Sequence, residues 1–244
     1  MGILTAIHGQ IGSGKDTVAL MSVLLHYHIV DIGNFPDIDD FKRAEKTQYR
    51  STRYGVEIKK FATSLRKVAE ILTGIDHWRF EDRDFKENFY RNNLTGEIRQ
   101  RNELPNGAIA VENWQKEGYE ENSWIKIRVY LQDLGTDAIR RRDEHAWVNA
   151  LFSKYNPKKD IWAISDMRFP NEFDRVKKEN GYTIKVVRPE TDRTDYENMH
   201  PSETALLNRD FDITIINDGS LEDLLKKVHI ELTKINFYDD KGKY

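Results

Sequence analysis

Residues 9–17 read Gly-Gln-Ile-Gly-Ser-Gly-Lys-Asp-Thr, directly after the apolar stretch Ile3–His8. A backbone that wraps an anion must turn its N–H groups inward, and glycines at 9, 12 and 14 permit the unusual angles and the close approach. Lys15 adds a mobile positive charge suited to the outer phosphates of a nucleoside triphosphate. The helix expected next points its positive end at the same place. Gly12, Ser13, Gly14, Lys15, Asp16 and Thr17 are therefore the candidate triphosphate contacts. The usual spelling of such a loop puts a Mg²⁺-ligating hydroxyl right after the lysine. Here Asp16 stands there, and Thr17 brings the hydroxyl one place late. Either the carboxylate joins the metal's shell or Mg²⁺ is held mainly through water and phosphate, which that ion tolerates. A glycine-rich turn that binds nothing is the bland alternative, and the order of strand, loop, Gly-Lys and helix counts against it.

A second group lies in Asp160–Arg168, an apolar strand ending in Asp166 with Arg168 two residues on. In a parallel sheet, side chains at the carboxyl end of a strand face the ligand crevice. Asp166 is thus placed to order Mg²⁺-bound water, and Arg168 to clamp a phosphate with its planar fork. Glu172 is a candidate to orient Arg168. The alternative is a structural Asp–Arg pair closing the strand end. A third group is Arg128 with Gln132, four residues apart on one helical face: a guanidinium for phosphate beside an amide for a base or sugar. Gly135 allows close approach, and Thr136 adds a hydroxyl.

These groups need a frame to hold them. Ile3–His8 reads as a buried strand and Val18–Leu25 as a largely apolar helix. Val56–Phe61 alternates like a strand, and Thr63–Leu72 puts Leu65, Val68, Ala69 and Leu72 on one helical face. The apolar spacing from Ile125 to Phe152 fits one or two helices. After Phe169-Pro170 a helix stops at Asn180-Gly181, and strands follow at Thr183–Val187 and Asp212–Ile216. Ser220 and Asp223 read as a capping box for a last helix. The order predicts an α/β fold of one domain over 1–244, with a five-stranded parallel sheet flanked by helices. An acceptor-binding, helical inserted region is expected at about 31–125 and a closing lid at about 188–208. Arg188 and Arg193 in or beside that lid suit charge stabilisation of a moving phosphoryl group. His200 reads as an ordinary loop histidine. Residues 31–55 and 81–123 are polar and irregular, and read as insertions or mobile segments rather than core.

Composition sets outer limits. Charged residues at 32 % and hydrophobic ones at 39 % suit a soluble globule, and no apolar run reaches the length of a membrane span. Zero cysteines exclude disulfides and thiolate metal sites, which is compatible with a cytoplasmic protein. The net charge of −3 argues against general nucleic-acid binding. It conceals residues 42–67, where nine Lys/Arg face only Glu45 and Glu57. That run is either a solvated face or a wall attracting phosphorylated substrate.

The Gly-Lys-x-Thr spelling resembles nucleoside monophosphate kinases of the adenylate kinase type. Leu131–Asp137, Asp143 through Val148, Asp166–Glu172, Val187–Pro189 with His200–Glu203, and Asn217–Leu221 together resemble the deoxynucleoside monophosphate kinases of tailed bacteriophages. The Leu-Gln-x-Leu-Gly-Thr-Asp block is the most specific of these. The resemblance implies ATP-dependent phosphorylation of deoxynucleoside 5′-monophosphates with Mg²⁺. It implies catalysis by Lys15, Arg128, Asp166, Arg168 and Glu172, and metal binding by Asp16, Thr17 and Asp166. Arg188 and Asn217 would complete the ATP site. Phe61, Arg66, Arg128, Gln132, Gly135, Thr136, Trp147 and Arg168 would line the acceptor pocket, Trp147 as a stacking or packing surface. The partners implied are ATP and the monophosphate, with no membrane and no specific nucleic acid. A homodimer in the cytoplasm (the host's, for a phage protein) is the family-level expectation. Two other readings stay open: another small-molecule kinase of this architecture, for dephospho-coenzyme A or phosphomevalonate, and an ATP-driven nucleic-acid module using 42–67.

Overall fold

A computed structural model of the chain describes residues 2–28, 35–46, 56–91, 97–113, 120, 122–191 and 199–237. The strands are β1 Ile3–His8, β2 Val56–Lys59, β3 Phe89–Arg91, β4 Ile98–Arg99, β5 Ala110–Val111, β6 Trp124–Lys126, β7 Ile161–Ile164, β8 Tyr182–Val187 and β9 Ile213–Ile216. The helices are α1 Lys15–His26, α2 Ile38–Lys46, α3 Ala62–Thr73, α4 Ile127–Asp133, α5 Ala146–Phe152, α6 Pro170–Lys178, α7 Pro201–Thr204 and α8 Leu221–Lys234. The chain forms two compact units, Met1–Phe61 with Phe152–Tyr244, and Ala62–Leu151.

The first unit holds the parallel sheet that the strand order predicts, arranged β2-β7-β1-β8-β9. β1 lies at its centre, and its neighbours are the later strands β7 and β8, so the sheet winds outward in both directions from the strand that carries the glycine loop. Such a switch point leaves a crevice beyond the carboxyl ends of the strands. The register runs Ile3↔Ile161 to Ala6↔Ile164 on one side and Thr5↔Tyr182 to His8↔Lys185 on the other. Ile7, Ala163, Ile184 and Val186 form a core with Val18, Met21 and Leu25 of α1 and Leu224, Leu225, Val228 and Leu232 of α8. The capping box of α8 is present: Ser220 Oγ accepts from Asp223 N–H, and Asp223 Oδ2 accepts from Ser220 N–H. α6 ends as expected, with Asn180 in the left-handed region and Gly181 N–H donating to Val176 O.

For the described residues 35–46, the reading of 31–55 as lying outside the core is corrected by α2, whose Phe41 and Ala44 are buried in it, while 31–34 and 47–55 lie outside the described residues. Four charged residues surround those two, so the apolar signal is too sparse to stand out in sequence. The same correction applies to the described part of 81–123, where Phe85, Phe89 and Val111 are buried, while 92–96, 114–119 and 121 lie outside the described residues. In the second unit Phe80, Phe85 and Ile127 form a core with Ala69. A small sheet, β4-β3-β6-β5, uses strands of only two or three residues. Strand β6 also occupies the start of the stretch expected to be wholly helical, from 125.

His26, at the end of α1, is 5 % exposed and packs edge-on against Phe237. Burial pushes its imidazole down to about 4. The unfolded chain takes up this proton below about pH 6.5, whereas the folded one resists it until about 4. Stability is therefore whole above 6.5 and falls as pH drops through that window, by roughly 3 kcal/mol at its acid end. His26→Leu removes this proton uptake. Urea unfolding at pH 7 and 4.5 is expected to show the wild type losing about 2 kcal/mol more than the variant over that interval; equal losses would contradict it.

Candidate active site

All five parallel strands deliver candidate residues at their carboxyl ends. β1 runs into Gly9–Lys15, β2 into Lys60 and Phe61, β7 into Ser165, Asp166 and Arg168, β8 into Arg188, and β9 into Asn217. Three backbone bonds tie these ends together, from Ser165 N–H to Lys59 O, from Met167 N–H to Ile7 O and from Asn217 N–H to Val187 O.

In the loop, Gly12 and Gly14 have φ of 86° and 95°, in the left-handed region. Gly14 caps α1, and its carbonyl accepts from Val18 N–H. Asn217 Nδ2 donates to Ser13 O at 2.9 Å, so the amide expected against ATP is spent on the loop itself. A Cβ on Gly9 would meet Ser13 Oγ and Val186 O, both under 3 Å, which explains the glycine there. Ser13 is buried, and its hydroxyl has no partner among the described residues. Among the described residues Lys15 Nζ donates only to Gln10 O, at 3.5 Å. Burial and then the charge of Arg168 lower the Lys15 ammonium from its usual range, while Asp16, Glu203 and Asp166 oppose them. Two cations share one crevice, an arrangement that favours an anion between them.

Asp16 Oδ1 accepts from Ser165 Oγ at 2.9 Å and lies 3.5 Å from Lys60 Nζ. Desolvation works against its ionisation, but Lys60 and Lys15 outweigh it and hold the carboxyl below its ordinary value. Asp166 Oδ1 accepts from Phe61 N–H at 2.7 Å. The Asp16 and Asp166 carboxyl groups and the Thr17 hydroxyl offer hard oxygen donors. Together with phosphates and water such a set fits Mg²⁺, which needs only one or two carboxylates. Among the described residues no group of three His, Cys, Asp or Glu side chains is gathered to hold a metal ion.

Arg168 is held at both ends. Glu172, 1 % exposed, accepts from the backbone N–H groups of Arg168 and Phe169 at 2.7 and 3.1 Å. Glu172 thus orients Arg168 through its main chain, not its guanidinium. The guanidinium Nη1 donates to Glu203 Oε1 at 2.6 Å and to Ser202 Oγ at 3.3 Å. His200 is buried and caps α7, which corrects its reading as an ordinary surface-loop residue. Arg188 is exposed with Nε on Glu190 Oε2, while Arg193 lies outside the described residues.

The second unit carries the other candidates. Arg128 bonds Glu87 Oε1 through Nε and Nη2, at 3.2 and 2.5 Å. Lys126 joins the same carboxylate. Burial works against Glu87's charge, but the two cations hold its carboxyl below the ordinary value. Arg66 pairs with Glu81 at 2.7 Å. Gln132 lies on α4, and Gly135 and Thr136 belong to a π-helical turn, Leu134–Arg140, a feature that often marks functional positions. A Cβ on Gly135 would meet Leu65 Cδ2 at 2.9 Å. Trp147 is buried and its indole N–H donates to Gly135 O at 3.0 Å, so of its two expected uses the structure favours packing. Phe61, in the first unit, is likewise buried, against Phe152. Lys42 and Arg43 find Asp39 and Asp40, and Lys59 finds Glu57, so these cations of the 42–67 run are locally neutralised. Sequence reasoning gave no role to Ser165, Glu87 or Glu203. Ser165 and Glu203 at least stand inside or beside motifs it had marked.

A parallel sheet with a glycine loop and lysine after its central strand, and an acid and an arginine after the neighbouring one, defines a fold of the phosphate-loop class. The chain belongs to the deoxynucleotide monophosphate kinase family, whose sequence profile matches residues 68–228. It is 35 % identical over 113 residues to the deoxynucleotide monophosphate kinase of Enterobacteria phage T4, covering 44 % of this chain and 45 % of that protein. A putative deoxynucleotide monophosphate kinase of Acanthamoeba polyphaga mimivirus is 36 % identical over 117 residues, 41 % of this chain and 58 % of that protein. The chain thus matches about half the length of these relatives. It is also similar, at 26 % identity, to the deoxynucleoside-5′-monophosphate kinase of Escherichia phage T5, across 84 % of this chain and 86 % of that one.

Proposed function

We propose that this protein transfers the γ-phosphoryl group of ATP to a deoxynucleoside 5′-monophosphate, giving the diphosphate and ADP. The observation that carries the reading is the pairing of Lys15 with Arg168, two cations from adjacent strand ends whose charges act on each other at the mouth of a glycine loop. No covalent intermediate is needed. The work is to set two anions in line and neutralise the charge that builds up between them. Lys15 and the loop N–H groups hold the donor phosphates, Arg168 takes the moving phosphoryl, and Glu172 fixes the Arg168 backbone. Arg188 adds charge from the lid side. When bound with ATP, Mg²⁺ would neutralise phosphate charge, with Asp16, Thr17 and Asp166 to hold it. Arg128, Gln132, Gly135 and Thr136 serve the acceptor, with Arg66, Phe61 and Trp147 supporting them. An acceptor phosphate would replace Glu87 on Arg128. No described helix is long and apolar enough to cross a membrane.

An acceptor panel with ATP and Mg²⁺ tests the reading. dGMP, dTMP, dCMP and dAMP are run beside their ribonucleotides, dephospho-coenzyme A and phosphomevalonate. Turnover of at least one deoxynucleoside monophosphate, well above the last two, is the expected result. Turnover of only the last two, or ATP hydrolysis that requires DNA, would replace this function with one of its rivals.

A further inference from the structure

The motif His200-Pro-Ser-Glu203 has no part in the reaction as described so far, yet it reaches into the crevice. Glu203 and Ser202 both bond Arg168 Nη1. Their seat is built: Ser202 N–H donates to His200 Nδ1 at 3.1 Å, Ser202 Oγ lies 2.8 Å from the same nitrogen, and Glu203 N–H donates to His200 O at 2.8 Å. Leu206, fully buried, anchors the turn that follows. The Glu203 side chain is only 10 % exposed, so it is not a solvated surface charge. These contacts occupy one corner of the guanidinium. Its Nε and Nη2 bond no described residue, and they form the edge that a phosphoryl group accepts in bidentate fashion.

We propose that Glu203, seated by Ser202 and the His200 cap, is a positioning residue that grips Arg168 by Nη1 and so presents its Nε–Nη2 edge to the transferring phosphoryl group. It touches no substrate and acts only through Arg168. Its effect on turnover rests on the kinase reading above. An arginine without this grip samples many rotamers, and misplacement of a charge by an ångström is costly in a transfer step that depends on positioning. A carboxylate that merely competed with phosphate for Arg168 would have the opposite sign, because its removal would speed the enzyme.

The test compares wild type, Glu203→Ala, Glu203→Gln, Arg168→Ala and the Glu203→Ala/Arg168→Ala double variant. Each is assayed with ATP and the deoxynucleoside monophosphate that the wild type turns over fastest. Glu203→Ala is expected to lower kcat about tenfold to a hundredfold, with both KM values within about threefold of wild type. Glu203→Gln, which keeps an acceptor oxygen at the same place, restores most of the rate. The double variant is no slower than Arg168→Ala alone, because both changes remove one device. An unchanged or raised kcat in Glu203→Ala overturns the proposal, as does a double variant slower than Arg168→Ala. A second readout needs no activity. In ¹⁵N-labelled protein the Arg168 Nε–Hε signal, assigned by its loss in Arg168→Ala, is sharp in wild type and Glu203→Gln and broadened in Glu203→Ala. Should no monophosphate be phosphorylated, the kinase reading fails and this signal alone decides whether the grip exists. A signal indifferent to residue 203 overturns it.

Discussion

Arg168→Ala lowers kcat about a thousandfold or more, the range measured for arginines that neutralise a transferring phosphoryl group. The protein stays folded, and the structure gives the reason. Residue 168 is anchored by its backbone N–H on the buried Glu172, a bond that alanine keeps. The guanidinium contributes to the fold only through Glu203 and Ser202. Losing it leaves a largely buried carboxylate short of one partner, a cost of about 1–3 kcal/mol. Arg168→Lys is expected to recover little, since an ammonium held at Glu203 has no second edge to offer. Thermal melting beside steady-state assays of the two variants checks both halves. A rate within about threefold of wild type would remove Arg168 from the chemistry.

That expectation was open to a reader of the sequence because the relevant features are local. Gly9–Thr17 needs only a strand before it and a helix after it. Asp166 and Arg168 follow an apolar run whose end must lie at the crevice once the sheet is parallel. The carboxylates that control the cations were harder to see. Glu203 stands 35 positions from Arg168 in sequence, and Glu87 stands 41 from Arg128. Nothing in either segment's composition says which charge faces which. The same non-locality hid Asn217's hold on Ser13 and Ser165's hold on Asp16. Short elements were lost for a different reason. The two- and three-residue strands of the second sheet are too brief for alternation to show, and α2 buries only Phe41 and Ala44 among its described side chains.

A common device emerges from these contacts. Arg168 and Arg128, two of the arginines proposed for phosphates, each rest on a glutamate from a distant segment. In the crevice lined by Lys15 and Arg168, Glu203 limits the mutual repulsion that would otherwise build up between the cations. Glu87 is bonded through both Nε and Nη2 of Arg128, so on the proposed reading an incoming phosphate would displace it. Glu203 takes only Nη1 of Arg168, so it can stay in place while the phosphoryl binds. The two ion pairs therefore call for different responses to substrate.

Gly14→Val is expected to weaken ATP binding about a hundredfold. Gly14 sits at φ 95°, where a β-branched residue is a severe outlier. The backbone penalty alone is about 1–2 kcal/mol. The new Cβ would also lie 2.6 Å from Asn217 Nδ2. That contact cannot be relieved cheaply, because the amide is fixed by its bond to Ser13 O and the Asn217 backbone by its bond to Val187 O. Either the Asn217 clasp breaks or the loop leaves the shape that turns its N–H groups inward. Strain and lost contacts together reach about 3 kcal/mol, which is two powers of ten in affinity. Gly74→Val is the control. Gly74 also has positive φ, at 72°, but a Cβ there meets nothing within 4 Å, and the residue follows α3, outside the glycine loop. It bears the backbone penalty as stability and leaves the ATP affinity unchanged. Calorimetric titration of both variants with ATP and Mg²⁺ decides the matter: equal affinities would mean that the left-handed turn at Gly14 is not what holds the loop for phosphate.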